Sequence, residues 1–235
     1  MTTSGAPRTA RARARAELTR EIKDAARRQL AASGADGLSL RAVARELGMV
    51  SSALYRYYPS RDELLTALIV DAYDAVADAA ERREAAVDRA DHLGRWLVLA
   101  RAVREWALDH RHEYSLIFGT PVPGYVAPQT TVDLAARIPL LLVGIVRDAG
   151  LVAEPGPAGT VDVPEQVRAD MAGLGQLLAL DAEPALLARL VLTWTTLVGS
   201  VSFELFGHLV GSVTDYGAYF DFQMARLAAE LGLGT

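Results

Sequence analysis

The chain contains no cysteine. That absence excludes disulfide staples, thiolate zinc sites, iron–sulfur clusters and cysteine nucleophiles. Long apolar runs are missing as well. The longest, Ile138 to Val146, is nine residues and contains Pro139, short of the roughly 20 residues a membrane span needs. Glycine (19) and proline (10) are too sparse for a fibrous or low-complexity chain of 235 residues, and 51% hydrophobic residues is too many for disorder. The N-terminus is basic but no apolar stretch follows it, so no secretory signal is expected.

Catalytic signatures are absent too. There is no Gly-x-Ser-x-Gly elbow and no P-loop. Gly173-Leu174-Gly175 begins like a dinucleotide loop, but Leu178 stands at the third glycine and no strand precedes it. His110 and His112 are two residues apart, a spacing that splays them on a helix and makes a poor metal pair. No catalytic residue, cofactor or metal is expected. Length and composition suit a cytoplasmic protein of one or two domains without membrane attachment.

What is present is unevenly placed charge. Residues 1–62 carry 12 of the 24 basic and 6 of the 29 acidic groups, a net of +6, whereas the remainder carries −11. A basic block attracts phosphates by releasing counterions, although such a block is equally well a solvated face. Within residues 1–16, Arg11, Arg13 and Arg15 alternate with alanine after Arg8. Extended, this arm places the three arginines on one side, where they could follow a groove; the plain alternative is a flexible, solubilising terminus.

The rest reads as helix, with no alternating strand pattern and no internal repeat. Leu18, Ile22, Ala25, Ala26 and Leu30 predict a first helix ending near Gly34. Ser39 is placed to cap a short second helix, Gly48 breaks it, and a third short helix covers about 51–57. Ser60-Arg61-Asp62-Glu63 is a capping box that opens a long amphipathic helix. Further helices are expected over about 93–110, 132–149 (with Pro139 inside), 164–180, 184–209 and 215–231. Loops are expected at Pro121 to Pro128 and at Glu154 to Gly159.

The most informative stretch is Leu40 to Pro59. Two short helices crossing steeply need a small residue where they touch, which Ala44 supplies, and a turn residue that accepts left-handed geometry, which Gly48 supplies. Val43, Leu47, Met49 and Leu54 fall where apolar glue is required. Gly37-Leu38-Ser39-Leu40-Arg41-Ala42-Val43-Ala44, then Leu47 to Tyr58, then Pro59-Ser60-Arg61-Asp62-Glu63-Leu64-Leu65 together resemble the DNA-binding domain of the tetracycline-repressor (TetR) family of bacterial transcription regulators. Tyr58 stands where Phe is usual and Arg61 where Lys is usual.

The resemblance implies an all-α protein with an N-terminal three-helix helix-turn-helix domain and a larger helical domain for effector binding and dimerisation. The segments are a flexible basic arm at 1–16, the DNA-binding domain at 17–62 and the second domain at 63–235. The recognition helix would enter the major groove, with Val50, Ser51 and Ser52 toward base edges. Arg41 matches a position that reaches a guanine or a phosphate. Ser39, Tyr55, Tyr57 and Arg61 match backbone-holding positions, and Arg56 could do either. Arg61 sits at a helix N-terminus, unfavourable for a cation, which favours an external anion. Tyr58 reads as core.

Arg104 to His110, with Tyr114 and Ile117-Phe118-Gly119, and Trp194 to Gly199 with Glu204 to His208, resemble one subgroup of the family's second domains. The helix 184–209 is apolar over too wide an arc for a surface helix. Phe220, Met224, Leu227 and Leu231 give the last helix a matching stripe, which suits a dimer through these two helices or an intrachain core. Trp96, Trp106, Tyr114, Phe118, Tyr125, Trp194 and Phe203 could line an effector cavity or simply fill the core. Glu204 and His208 could pair on one helix face. The function expected is a homodimeric, sequence-specific DNA-binding regulator: a repressor released from a pseudo-palindromic double-stranded operator by a small, mostly apolar effector. Its alternatives are a ligand-independent DNA-binding protein and, more remotely, a helical enzyme.

Overall fold

The computed structural model describes residues 6–151 and 162–233, with side chains from Thr9 onward. Residues 1–5 of the arm and the Glu154 to Gly159 loop lie outside the described residues. Ten helices and no strand occur among those described: α1 (Ala6–Ser33), α2 (Leu40–Glu46), α3 (Ser51–Leu54), α4 (Arg61–Glu84), α5 (His92–Asp109), α6 (Arg111–Phe118), α7 (Thr130–Asp148), α8 (Glu165–Leu177), α9 (Pro184–Leu205) and α10 (Tyr216–Leu231). The all-α class is correct.

Contacts divide the chain into two units. The first holds the residues up to Tyr73 together with His110–Thr131, and the second Asp74–Asp109 together with the residues from Val132. The first unit thus extends beyond the expected 17–62 segment. Its core joins Ile22, Ala25 and Leu30 of α1 to Val43, Ala44, Leu54, Leu64, Leu65 and Leu68. The sequence pattern did not predict α6, which packs on α1. Tyr114 and Phe118 of α6 lie 5.1 Å apart, and Phe118 meets Tyr73 edge-on at 6.1 Å. Beyond α6, the Tyr125 hydroxyl bonds the Thr66 hydroxyl at 2.8 Å.

The expected arm is a correction. Residues 6–16 are the first turns of α1, because alanine and arginine are both strong helix formers and nothing in the stretch breaks a helix. Helical spacing leaves Arg11 and Arg15 on one face and turns Arg13 away by about 200°. The three arginines do not share a side.

The second unit is built on α5, α8, α9 and α10, with α9 packing on the other three. Leu186, Leu190, Leu197 and Val201 of α9 are buried. The Trp96 indole N–H donates to the Met224 carbonyl at 2.8 Å, pinning α5 to α10. Arg104 of α5 grips Glu204 of α9 with two bonds of 2.6 and 2.7 Å, and Arg95 meets the buried Glu84 at 2.5 Å. Arg137 of α7 reaches Asp74, Asp78 and Glu81 of α4 at 2.7 to 2.8 Å.

Helix ends explain where the expected boundaries were too long. After α9, the Gly207 amide bonds Glu204 and the His208 amide bonds Phe203, with Gly207 left-handed at φ +78. This paired closure stops the helix at Leu205 rather than near Leu209. The same closure ends α8 at Leu177, with Ala179 in the left-handed position at φ +51. The proposed Glu204–His208 pair is therefore absent. Glu204 belongs to Arg104, and the His208 ring, beyond the helix, lies 5.1 Å from Phe203.

By length and hydropathy alone α9 could cross a membrane, contrary to the reading from uninterrupted apolar runs. Three threonines and a glycine–serine step dilute its sequence without making it polar.

Candidate nucleic-acid interface

The turn between α2 and α3 sets the geometry. Gly48 is left-handed at φ +64. Its amide donates to the Arg45 carbonyl at 3.2 Å, and the Met49 amide donates to Ala44 at 2.8 Å. These two bonds satisfy carbonyls that α2 would otherwise leave open, and a side chain at Gly48 would strain the backbone. Ala44 is buried, as are Val43 and Leu54, so the two short helices are held by small and branched residues on their inner sides.

Burying Leu54 turns its neighbours outward. Val50 is 70% exposed and Tyr55 42%. Arg41, Ser52 and Arg56 are exposed, while Ser39, Ser51 and Tyr57 are half-buried. Arg41, Arg45 and Arg56 have no ion pair among the described residues, whereas Arg28 of α1 is bound to Glu46 at 2.6 Å. Arg45 belongs to the same open cationic set, and sequence reasoning passed over it. Its position four after Arg41 on one helix face was the available signal. Ser39 occupies the N-cap position of α2, but its side chain makes no capping bond; its amide is held instead by Gln29 Oε1 at 3.2 Å.

Arg61 departs from expectation. Its guanidinium donates to the carbonyls of Ala35 at 2.8 Å and Leu38 at 3.2 Å. A cation at the first turn of α4 is thus partnered inside the chain: it closes the α1–α2 loop, sharing the Ala35 carbonyl with the Leu38 amide. The capping box beside it forms on one side, with the Glu63 amide donating to the Ser60 hydroxyl at 3.1 Å.

The two neighbouring tyrosines differ. Tyr58 is 8% exposed, and burial raises its phenol above the ordinary range, with the Asp71 carboxylate adding to the effect. It is core. Tyr57 is half-buried, and the Arg15 guanidinium lies over its ring at 5.3 Å. Lys23 and Arg27 are paired with Asp71 at 2.7 and 2.6 Å, so the middle of α1 is neutralised while its first turns are not.

The residues named for an effector cavity fall in both units. Tyr114 and Phe118 belong to the first unit, as does Tyr125, while Trp96, Trp106, Trp194 and Phe203 belong to the second. Trp96 and Trp106 are buried and Phe203 is 53% exposed. A cavity of about 410 Å³ in the second unit is lined by Val143, Val146, Arg147, Leu180, Leu186 and Leu190, among others. No cluster of metal-ligating side chains occurs among the described residues.

Residues 22–68 match the family model described as bacterial regulatory proteins, tetR family, and residues 96–227 that described as tetracyclin repressor-like, C-terminal domain. The chain is 40% identical over 222 residues to the HTH-type transcriptional regulator Rv1816 of Mycobacterium tuberculosis H37Rv, covering 93% of this chain and 94% of that protein. The Mycobacterium bovis regulator Mb1846 matches to the same extent. Among solved structures, the regulatory protein SCO4313 is 38% identical with a TM-score of 0.75, covering 92% of this chain and 97% of that one. A Rhodococcus sp. RHA1 protein of unknown function shares the fold at 23% identity and a TM-score of 0.67, covering 89% of this chain and 93% of that one. Those matches take in the helix-turn-helix and most of the second unit alike, and the chain accordingly belongs to the TetR family of DNA-binding transcriptional regulators.

Proposed function

We propose that this chain is a homodimeric repressor that binds a pseudo-palindromic operator through α2 and α3 and leaves it when a small effector binds the second unit. The observation that carries the reading is the open polar and cationic surface around α3: Arg41, Val50, Ser52, Tyr55 and Arg56 are outward while Leu54 and Val43 are buried. In the major groove, Ser52 and the half-buried Ser51 would meet base edges, Val50 a thymine methyl, and Arg41 a guanine or a phosphate. Tyr55, Tyr57 and Ser39 would hold the sugar–phosphate backbone. Arg61 would act indirectly, by fixing the loop before α2.

Dimerisation is supported by the outward side of α9 and α10. Leu192, Phe203, Phe206, Tyr219 and Phe222 are 38 to 60% exposed. On the same side of α9, Gly199 has open space where a Cβ would be. A mid-helix glycine costs about 1 kcal/mol relative to alanine, and close approach of a second copy would give Gly199 a purpose. Two such helices from each subunit form a twofold four-helix interface. The stripe Phe220, Met224, Leu227 and Leu231 does not serve there, because all four are buried within their own chain. The last helix was read on the wrong face.

The 410 Å³ cavity is of a size that holds a small ligand. Its mostly aliphatic lining, with Arg147 and Asp181 as the charged residues, suits an apolar effector bearing a polar end. By linkage the effector must favour the conformation that binds DNA less well. Selection of bound duplexes from a random pool tests the reading. Enrichment of an inverted repeat with half-sites about one helical turn apart supports it, and failure to enrich any sequence overturns it. Compounds that both raise the melting temperature and release the selected duplex would identify the effector class.

A further inference from the structure

The first turns of α1 form a charged surface that the helix-turn-helix does not use. From Thr9 to Glu17 every residue is exposed, and no acidic side chain occurs before Glu17. The first fully buried residue is Ile22, so about three turns of helix contribute nothing to the core. Arg11 and Arg13 have no ion pair among the described residues. Arg11 and Arg15 share a helix face at i, i+4, where like charges repel. An anion outside the chain relieves that repulsion. The placement of that face is fixed by Arg15, whose guanidinium lies over the Tyr57 ring at 5.3 Å. Tyr57 follows α3 directly, so the Arg11–Arg15 face borders the surface that carries Val50, Ser52 and Tyr55.

We propose that the Arg11–Arg15 face of α1 is a second DNA contact, a phosphate clamp on the duplex backbone flanking the groove that α3 enters. The proposal rests on the operator-binding reading above and adds to it a separate, sequence-independent element. Stacking on Tyr57 holds the Arg15 side chain in place before DNA arrives, which lowers the ordering cost of the contact. Arg11, one turn further out, reaches the neighbouring phosphates. Arg13 faces away and takes no part.

The test compares the full-length wild-type protein, the double variant Arg11→Ala/Arg15→Ala, and Arg13→Ala. Binding to the selected operator and to a random duplex of equal length is measured across a salt series. Each phosphate contact contributes about 0.9 to the slope of log affinity against log salt. Four clamp arginines in a dimer therefore lower the slope by about 3 to 4 in the double variant. Affinity for operator and random duplex should fall by the same factor, because phosphates carry no sequence information. The melting temperature and helix-turn-helix specificity should stay at wild-type values, and Arg13→Ala should cost no more than a small part of the slope. An unchanged slope and affinity in the double variant overturns the clamp. So does an equal loss from Arg13→Ala, which would reduce the effect to unspecific charge, or a loss confined to the operator. Failure of the wild type to bind any duplex would instead overturn the operator-binding reading, so the two failures are distinguishable.

Discussion

Two exposed surfaces of this chain differ in every chemical respect. The surface around α3 shows hydroxyls, one valine, one tyrosine and unpaired arginines, set on helices of seven and four residues. The outward side of α9 and α10 shows leucine and phenylalanine around a glycine, set on helices of 22 and 16 residues. A polyanion is met with charge and hydrogen bonds, and its attraction depends on salt. The proposed contact with a second copy of the chain relies on apolar area that must leave water. The short helices cannot stand alone and borrow their stability from α1 and α4, whereas the long ones bury a full stripe and still have a face to spare.

The contrast is sharpest between the two sides of α10. Leu227→Glu puts a carboxylate into the intrachain core, where Leu227 is 6% exposed. It should destabilise the fold by about 3–5 kcal/mol, read as loss of cooperative melting. Phe203→Glu with Phe222→Glu acts on the outward side, where those residues are 53% and 60% exposed. That variant should keep its helical circular dichroism yet sediment as a monomer, with a melting temperature no longer dependent on concentration. A dimer that survives it would move the interface to another surface.

On the other surface the comparison is between two arginines. Arg41→Ala should weaken operator binding by about 1–3 kcal/mol with no change in melting, measured at matched salt. Arg61→Ala should do the reverse, lowering stability by about 1–3 kcal/mol because the carbonyls of Ala35 and Leu38 lose a charged donor. Equal effects of the two on DNA affinity and none on melting would return Arg61 to the phosphate backbone.

The smallest effect belongs to Asp221, whose carboxyl is held below its usual range by hydrogen bonds from Arg101. A depressed carboxylate stabilises above its unfolded pKa and loses that contribution as pH falls through the folded value. Both partners are more than 40% exposed, so Asp221→Asn should cost less than about 1 kcal/mol at neutral pH. The difference from wild type should shrink as pH falls and vanish once the Asp221 carboxyl of the folded protein is protonated, read by denaturant melts at each pH.

Much of this was legible in the sequence, for physical reasons that also mark where it stopped. Gly48, Ala44 and Leu54 are read directly because a left-handed turn and a close crossing admit few side chains. Helix class was plain from spacing. The side of a helix that faces the chain's own core was not: Leu227 and Phe222 are both apolar, and periodicity does not say which stripe a neighbouring helix covers. For Arg61 a local argument about the dipole left out the carbonyls 23 and 26 residues earlier in the chain to which it bonds. A buried indole such as Trp96 looks the same in sequence whether it faces a ligand or a backbone carbonyl, and here its N–H meets the Met224 carbonyl.

The α6 segment has a practical consequence. Tyr73 is covered by Phe118, and Thr66 is bonded by Tyr125, so the headpiece is completed by a stretch synthesised some forty residues after α4 begins its second half. A fragment truncated at Tyr73 would bare that seam to water. Anyone transplanting this headpiece onto a foreign sensor must carry residues 110–131 along with it, as a separate splice, or accept a loosened graft.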